Sequence, residues 1–221
     1  MWREGTVNEA LALPLLLIPA VLAVTVHEIA HGWAALQLGD TTAADAGRLS
    51  LNPLRHVDPV GTVLVPFALY VLGEWLFGTR LFFGWAKPVP VHWGRLRPVR
   101  PGIALVAFAG PAANLLMLAA WLLFALVLKH LGVGHGALIY LCQAGIIFNA
   151  AIMMINLVPI PPLDGSRIVT ALLPAAWAVR YNRLEAFGLL LILLLLASGL
   201  LQQVLGPVLD GVAALMTALG L

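Results

Sequence analysis

The sequence predicts an all-α polytopic membrane protein, and three observations predict it. Of its 221 residues, 62% are hydrophobic and 10% charged, with a mean hydropathy of +0.98. In soluble domains about a quarter of the residues are charged. The apolar residues also gather into runs of the roughly 20 residues that a helix needs to cross a bilayer. Finally, the charges collect between those runs: ten of the twelve Lys and Arg lie in residues 38–101 and 160–184. The pI near 9 therefore reads as membrane topology, with the lipid bilayer as partner and no nucleic acid. One domain, 1–221, accounts for the chain, and no internal repeat divides it. The single cysteine, Cys142, lies in an apolar run, which excludes an intramolecular disulfide and predicts a buried, inert thiol.

Spans are expected at about 10–38, 103–128, 136–160 and 186–205, with a loop over 39–101 that carries a membrane-associated segment. The first span continues past any leader-like stretch without a small-residue cleavage site, so it is expected to remain in the mature protein. At 29 residues its helix would be about 43 Å long, and it must tilt or protrude. Residues 39–61 are rich in turn formers (Asp40, Gly47, Asn52-Pro53, Asp58-Pro59) and predict an ordered loop, with short strands around Arg48–Leu51. Thr62–Phe77 is apolar but broken by Pro66, Gly73 and Glu74, which makes it short for a crossing. Leu81–Pro101 is basic and proline-punctuated. The second and third spans carry no charge; they hold Gly110-Pro111 and Asn114, then Gln143, Asn149 and Asn156. Pro159, Pro161 and Pro162 end the third. Ser166–Arg183 reads as interfacial and Ala186–Leu201 as a leucine-rich span, while the tail from Gly206 either spans or lies in the interface.

The first span contains His27-Glu28-Ile29-Ala30-His31, in a stretch (Ala10–Leu38) whose other polar side chains are Thr25 and Gln37. Ionisable groups at such depth are expensive, and a functional partner is the default reason for them. On a helix, residues i and i+4 share a face, so His27 and His31 are positioned to hold one Zn²⁺ with Glu28 beside it as a general base. The blander alternative is a polar seam between helices. Counted from Leu38, Glu28 lies about 15 Å inside the helix end.

Two imidazoles leave zinc a protein ligand short. Asp164 is the only carboxylate between Glu74 and Glu185, and it follows a proline break; its alternative role is a turn or helix-cap aspartate. If Asp164 and His31 share a metal, the ends of the first and third spans lie on one membrane face. Thr62–Phe77 must then be re-entrant or interfacial. The clustered Lys and Arg would occupy that same face, which the positive-inside rule makes cytoplasmic.

Taken together, these residues resemble the site-2 protease family of intramembrane zinc metalloproteases. His27–His31 is similar to its HExxH zinc helix, Ala109-Gly110-Pro111-Ala112-Ala113-Asn114 to its GPxxN middle-helix motif, and Asn156 through Asp164-Gly165 to its NxxPxxxxDG motif. The loops Gly47–Gly61 and Phe83–Pro90 resemble a compact prokaryotic branch without PDZ or CBS domains; Ser166 stands where many relatives have a second glycine. The resemblance implies a cell-membrane, multi-pass protease that cleaves transmembrane protein substrates with one Zn²⁺ per chain. It implies His27, His31 and Asp164 as ligands, Glu28 as base, and Asn156 as a donor to substrate backbone or oxyanion. The competing function from another class is a metal or proton transporter using the same His, Glu and Asp groups; a catalytically dead helix-binding scaffold is a third. His56 and Asp58 read as a loop-ordering pair or a stray metal site. Lys87 and Glu74 read as interfacial, and His92, His130 and His135 as loop residues. Nothing in the sequence specifies an oligomeric state.

Overall fold

The computed structural model describes residues 9–65, 67–69, 71–72 and 84–221. It is helical, with no strand among the described residues. Four helices are long and apolar enough to cross a membrane. The first, α1 (Glu9–Gln37), runs unbroken through Pro14 and Pro19. A left-handed Gly39 turns the chain, and the short α2 (Thr42–Asp45) follows.

The loop beyond α2 is ordered by side chains that bond its own backbone. The buried Asp40 carboxylate accepts from the Thr42 hydroxyl (2.5 Å), the Thr42 N–H (3.2 Å) and the His92 N–H (2.6 Å). Asn52 caps a short turn at Pro53–Arg55, and Asp58 caps the π-helical turn Pro59–Leu64 by accepting from Val60 and Gly61. Strands expected around Arg48–Leu51 do not form. A strand needs a ladder partner, and here local turns take the backbone groups: the Arg48 N–H bonds Ala43 O, and the Ser50 carbonyl accepts from the His56 ring. Residues 59–65 and 67–69 are helical, a piece shorter than a span. Leu64 and Phe67 are exposed on it. Pro66, Tyr70 and Gly73–Phe77 of the predicted membrane-associated segment, Glu74 among them, lie outside the described residues, as do Leu81–Phe83 and the polar lead before Glu9.

α3 (Val99–His130) and α4 (Ala137–Leu157) form where the second and third spans are predicted, and both are long and apolar enough to cross a membrane. α3 starts four residues earlier than predicted because Pro101 falls in the first turn, where a helix tolerates proline. Lys129 and His130 sit in its last turn, where positive charge complements the helix dipole. α4 stops at Leu157, before Pro159. α1, α3 and α4 pack on one another, and their shared interior is small and partly polar, with Val106, Ala107, Asn114, Ala144, Ile146 and Asn149 buried. Outward-facing leucines such as Leu116, 73% exposed, are left for lipid.

After the proline turn come α5 (Asp164–Leu172) and α6 (Ala175–Asn182), then a 3₁₀ turn at Arg183–Phe187. The span predicted at 186–205 is divided. α7 (Gly188–Ala197) has 10 residues, about 15 Å, half the depth of a bilayer core. It ends at Gly199 in the left-handed region (φ 73°), a conformation that stops a helix and that glycine adopts without steric cost. The helix long enough to cross is α8 (Leu200–Ala218), which takes up the tail beyond Gly206 and packs on α4 and α7.

Candidate metal centre

The spacing in α1 puts His27 and His31 on one face, and their Nε2 atoms lie 3.0 Å apart. Asp164, the first residue of α5, brings its Oδ2 to 3.1 Å from His27 Nε2 and 3.2 Å from His31 Nε2. Among the described residues these three form the one His/Cys/Asp/Glu group arranged to hold a metal ion. Asp164 reaches it because the Gly165 backbone presses against the end of α4. A Cβ there would fall 2.3 Å from Leu157 O and 2.6 Å from Val158 O, so the Asp-Gly pair is a packing requirement.

Hydrogen bonds from the opposite side of each ring decide what the three atoms present to one another. His31 Nδ1 faces the Val106 carbonyl at 2.7 Å. A carbonyl only accepts, so Nδ1 carries the proton and Nε2 of the neutral ring presents a lone pair. His27 Nδ1 faces Asn114 Oδ1 at 2.5 Å. The orientation of that amide is set because Asn114 Nδ2 donates to Ala23 O (3.2 Å) and to Asn149 Oδ1 (2.9 Å). His27 Nε2 therefore also presents a lone pair, and buried Asp164 Oδ2 receives no hydrogen bond. Three electron pairs meeting at 3.0–3.2 Å repel unless a cation lies among them. Tetrahedral zinc with bonds of about 2.0–2.1 Å sets its ligands about 3.3 Å apart, close to the separations here. Two imidazoles and one carboxylate leave one position of such a site open, as a catalytic zinc requires.

The space for the two rings comes from Gly110 on α3. A Cβ at that position would lie 2.5 Å from His31 Nε2 and 2.6 Å from His27 Cε1. Pro111 follows within the helix, one residue after a glycine that has no side chain to offer.

Glu28 is half-buried beside its two neighbours, and its Oε2 accepts the Val89 N–H at 2.8 Å. Val89 lies between Pro88 and Pro90, so it holds the only backbone donor of those three residues. That extended segment is itself anchored: the buried Arg48 donates to Lys87 O at 2.7 Å, and the Lys87 N–H bonds His56 O at 2.8 Å. Asn156 sits in the last turns of α4 and donates to Ile152 O at 3.0 Å, a bond within its own helix. One of its two N–H donors is thereby spent.

The fold thus brings His27, His31 and Asp164 together and gives Asn156 no bond to them. His56 and Asp58 bond loop backbone, as a loop-ordering pair does. The sequence reading placed Gly110 and Asn114 in the GPxxN motif without assigning them a contact with the histidines, and it gave Asn149 and Val89 no role in the site. Their signals were present: amides in uncharged spans must find buried partners, and a Pro-Val-Pro run concentrates its donor capacity in one N–H.

Comparison with known proteins gives relatives over most of the chain. It is 36% identical over 204 residues to YwhC of Bacillus subtilis, a protein named as a zinc metalloprotease, covering 90% of this chain and 87% of that one. It is 32% identical over 149 residues to Rip2 of Mycolicibacterium smegmatis, also named as a zinc metalloprotease, covering 66% of this chain and 52% of the other. With Rip2 of Mycobacterium tuberculosis the identity is 29% over 173 residues, 74% of this chain and 61% of the relative. The chain thus spans about half to three fifths of the length of the Rip2 proteins. No family model and no solved structure matches it.

Proposed function

Because this chain belongs to the site-2 protease family of zinc metalloproteases, we propose that it hydrolyses peptide bonds in or near the transmembrane helices of membrane-protein substrates. The observation that carries this reading is the meeting of His27 Nε2, His31 Nε2 and Asp164 Oδ2 within 3.0–3.2 Å of one another, beside a glutamate on a helix long and apolar enough to cross a membrane. His27, His31 and Asp164 are the ligands, for one zinc ion per chain. Zinc bound there supplies Lewis-acid polarisation and makes a water acidic near neutral pH.

The rest belongs to the side chains. Glu28 takes the proton of the attacking water and returns it to the leaving amine. Val89 holds one carboxylate oxygen of Glu28 by its N–H, which leaves the other to carry the proton. The second N–H of Asn156 is the donor assigned to the developing oxyanion. A substrate helix buries its carbonyls in internal hydrogen bonds, so it must unwind locally before attack. The loop 39–101, which reaches Glu28 through Val89, is the platform that would receive it.

The cytoplasmic face of the cell membrane is the assigned side. The Arg97 N–H bonds Leu38 O at 2.8 Å, which joins the C-terminal end of α1 to the approach to α3, and α5 leaves the matching end of α4. Nine basic residues of the described segments 38–101 and 160–184 belong to the parts gathered there. A transporter reading draws no support from relatives named as proteases.

The test is zinc content beside cleavage of a transmembrane peptide in detergent, for the wild type, Glu28→Gln and Asp164→Ala. One zinc per chain, kept in an inactive Glu28→Gln and lost in Asp164→Ala, is the expected result. Zinc unaffected by Asp164→Ala would overturn the ligand set. Bound zinc with metal-dependent flux and no cleavage would overturn the protease reading.

A further inference from the structure

We infer that Asn149 is a positioning residue for the metal centre, acting through Asn114 on the tautomer of His27; this rests on the ligand set proposed above. Asn149 touches no ligand. It lies on α4, completely buried, and its two amide atoms are both used: Nδ2 donates to Gly145 O at 2.8 Å and Oδ1 accepts from Asn114 Nδ2 at 2.9 Å. Asn114, equally buried on α3, spends its other Nδ2 proton on Ala23 O of α1. The chain of bonds runs from α4 through α3 to His27 on α1, and it has a direction. With both protons of Asn114 committed, its oxygen is the atom that faces His27 Nδ1.

That direction decides whether His27 binds metal. An Asn side chain offers an acceptor on one side and donors on the other, nearly identical in shape, so its orientation depends on its partners. Were Asn114 reversed, its NH₂ would face His27 Nδ1 and require a lone pair there. The ring proton would then move to Nε2, the atom that meets Asp164 and His31, and the ligand would be lost. Ala23 O alone, at 3.2 Å, is the longer of the two contacts that oppose reversal. Asn149 contributes the shorter one. Its own orientation is in turn held by Gly145 O, which leaves the oxygen as the atom available to Asn114.

The experiment uses the full-length protein in detergent. Zinc affinity is measured by chelator competition, the absorption spectrum of the Co²⁺-substituted protein reports the ligand field, and metal-free protein is melted as a separate readout. Asn149→Leu keeps the volume and removes the amide; Asn149→Asp keeps an acceptor for Asn114 and, as a buried neutral carboxyl, a donor for Gly145 O. Partners that orient a metal-bound imidazole are typically worth about 10- to 100-fold in affinity. Asn149→Leu is therefore expected to weaken zinc about 10- to 100-fold and change the Co²⁺ spectrum, beyond what any fall in the metal-free melting temperature accounts for, and Asn149→Asp to restore both. Affinity within twofold of wild type in Asn149→Leu, while Asp164→Ala has lost zinc, would overturn the inference and leave the ligand set standing. A fall in melting temperature that accounts for the weaker binding, without restoration by Asn149→Asp, would also overturn it. Zinc retained in both His31→Ala and Asp164→Ala would remove the ligand set and the inference together.

Discussion

Adding one methyl group at Gly110 should remove the metal without unfolding the protein. The alanine Cβ would lie 2.5 Å from His31 Nε2 and 2.6 Å from both His27 Cε1 and His31 Cε1. Carbon atoms in contact sit about 3.5–4.0 Å apart, so both rings must retreat by about 1 Å. Zinc ligands tolerate displacements of about 0.2 Å. Retreat also costs each ring its outer hydrogen bond, because Val106 O and Asn114 Oδ1 belong to the same helix as Gly110. Overpacking of this kind costs about 1–3 kcal/mol, partly offset by the roughly 1 kcal/mol that alanine gains over glycine in a helix. With the two lost hydrogen bonds added, Gly110→Ala should therefore melt below wild type but remain folded, while zinc affinity falls by at least about 100-fold and cleavage disappears. Gly211→Ala, with open space around its Cβ, is the matched control and should keep both. Zinc measured by elemental analysis after dialysis, beside thermal melting by circular dichroism, gives the two readouts. Stoichiometric zinc at wild-type affinity in Gly110→Ala would refute the reasoning, since it would mean that the rings do not occupy that space.

Two further perturbations probe the loop that reaches the site. Val89→Pro deletes the N–H that holds Glu28, a hydrogen bond to a charged group worth about 1.5–3 kcal/mol; cleavage should fall about 10- to 100-fold with zinc unchanged, whereas Val89→Ala keeps the donor and should be near wild type. Asp40 supplies a pH test. Burial raises its carboxyl pKa, but hydrogen bonds from the Thr42 hydroxyl, the His92 N–H and the Thr42 N–H, with Arg95 nearby, outweigh burial and hold it below the ordinary 3.8. The folded form binds its proton less readily than the unfolded form, so this stabilisation is complete above about pH 4 and is lost as pH falls through the lowered value. Melting followed downward from pH 6 should therefore show an acid-side loss of stability that is smaller in Asp40→Asn, and identical slopes in the two proteins would remove Asp40 from the account.

The relation between chain and fold is plainest at the three residues proposed to hold the metal and at the C-terminal leucines. His27 and His31 need no tertiary information to be paired, because the 3.6-residue period of one helix does it. Asp164 lies 133 residues from His31, as their numbers give, yet the scarcity of carboxylates and the parity of the spans point to it without coordinates. The same hydropathy reasoning missed the division of the last predicted span: a run of leucines looks alike on both sides of a helix break, and the left-handed turn at Gly199 is a backbone event that hydropathy does not register. Short strands expected at Arg48–Leu51 failed for a related reason, since pairing depends on a partner that local propensity cannot supply.

By itself the sequence determined the class of the protein, its three long apolar core helices and the residue types able to hold zinc, because composition and helical period are local properties of the chain. Only the tertiary structure decided the rest. Which ring nitrogen carries the proton depends on Val106 and on the Asn149–Asn114 chain, and the room for the rings depends on Gly110, all on other helices. The hold on Glu28 depends on Val89, 61 positions away. Hydrogen-bond direction and steric space arise between segments, and they exist only once the helices have met.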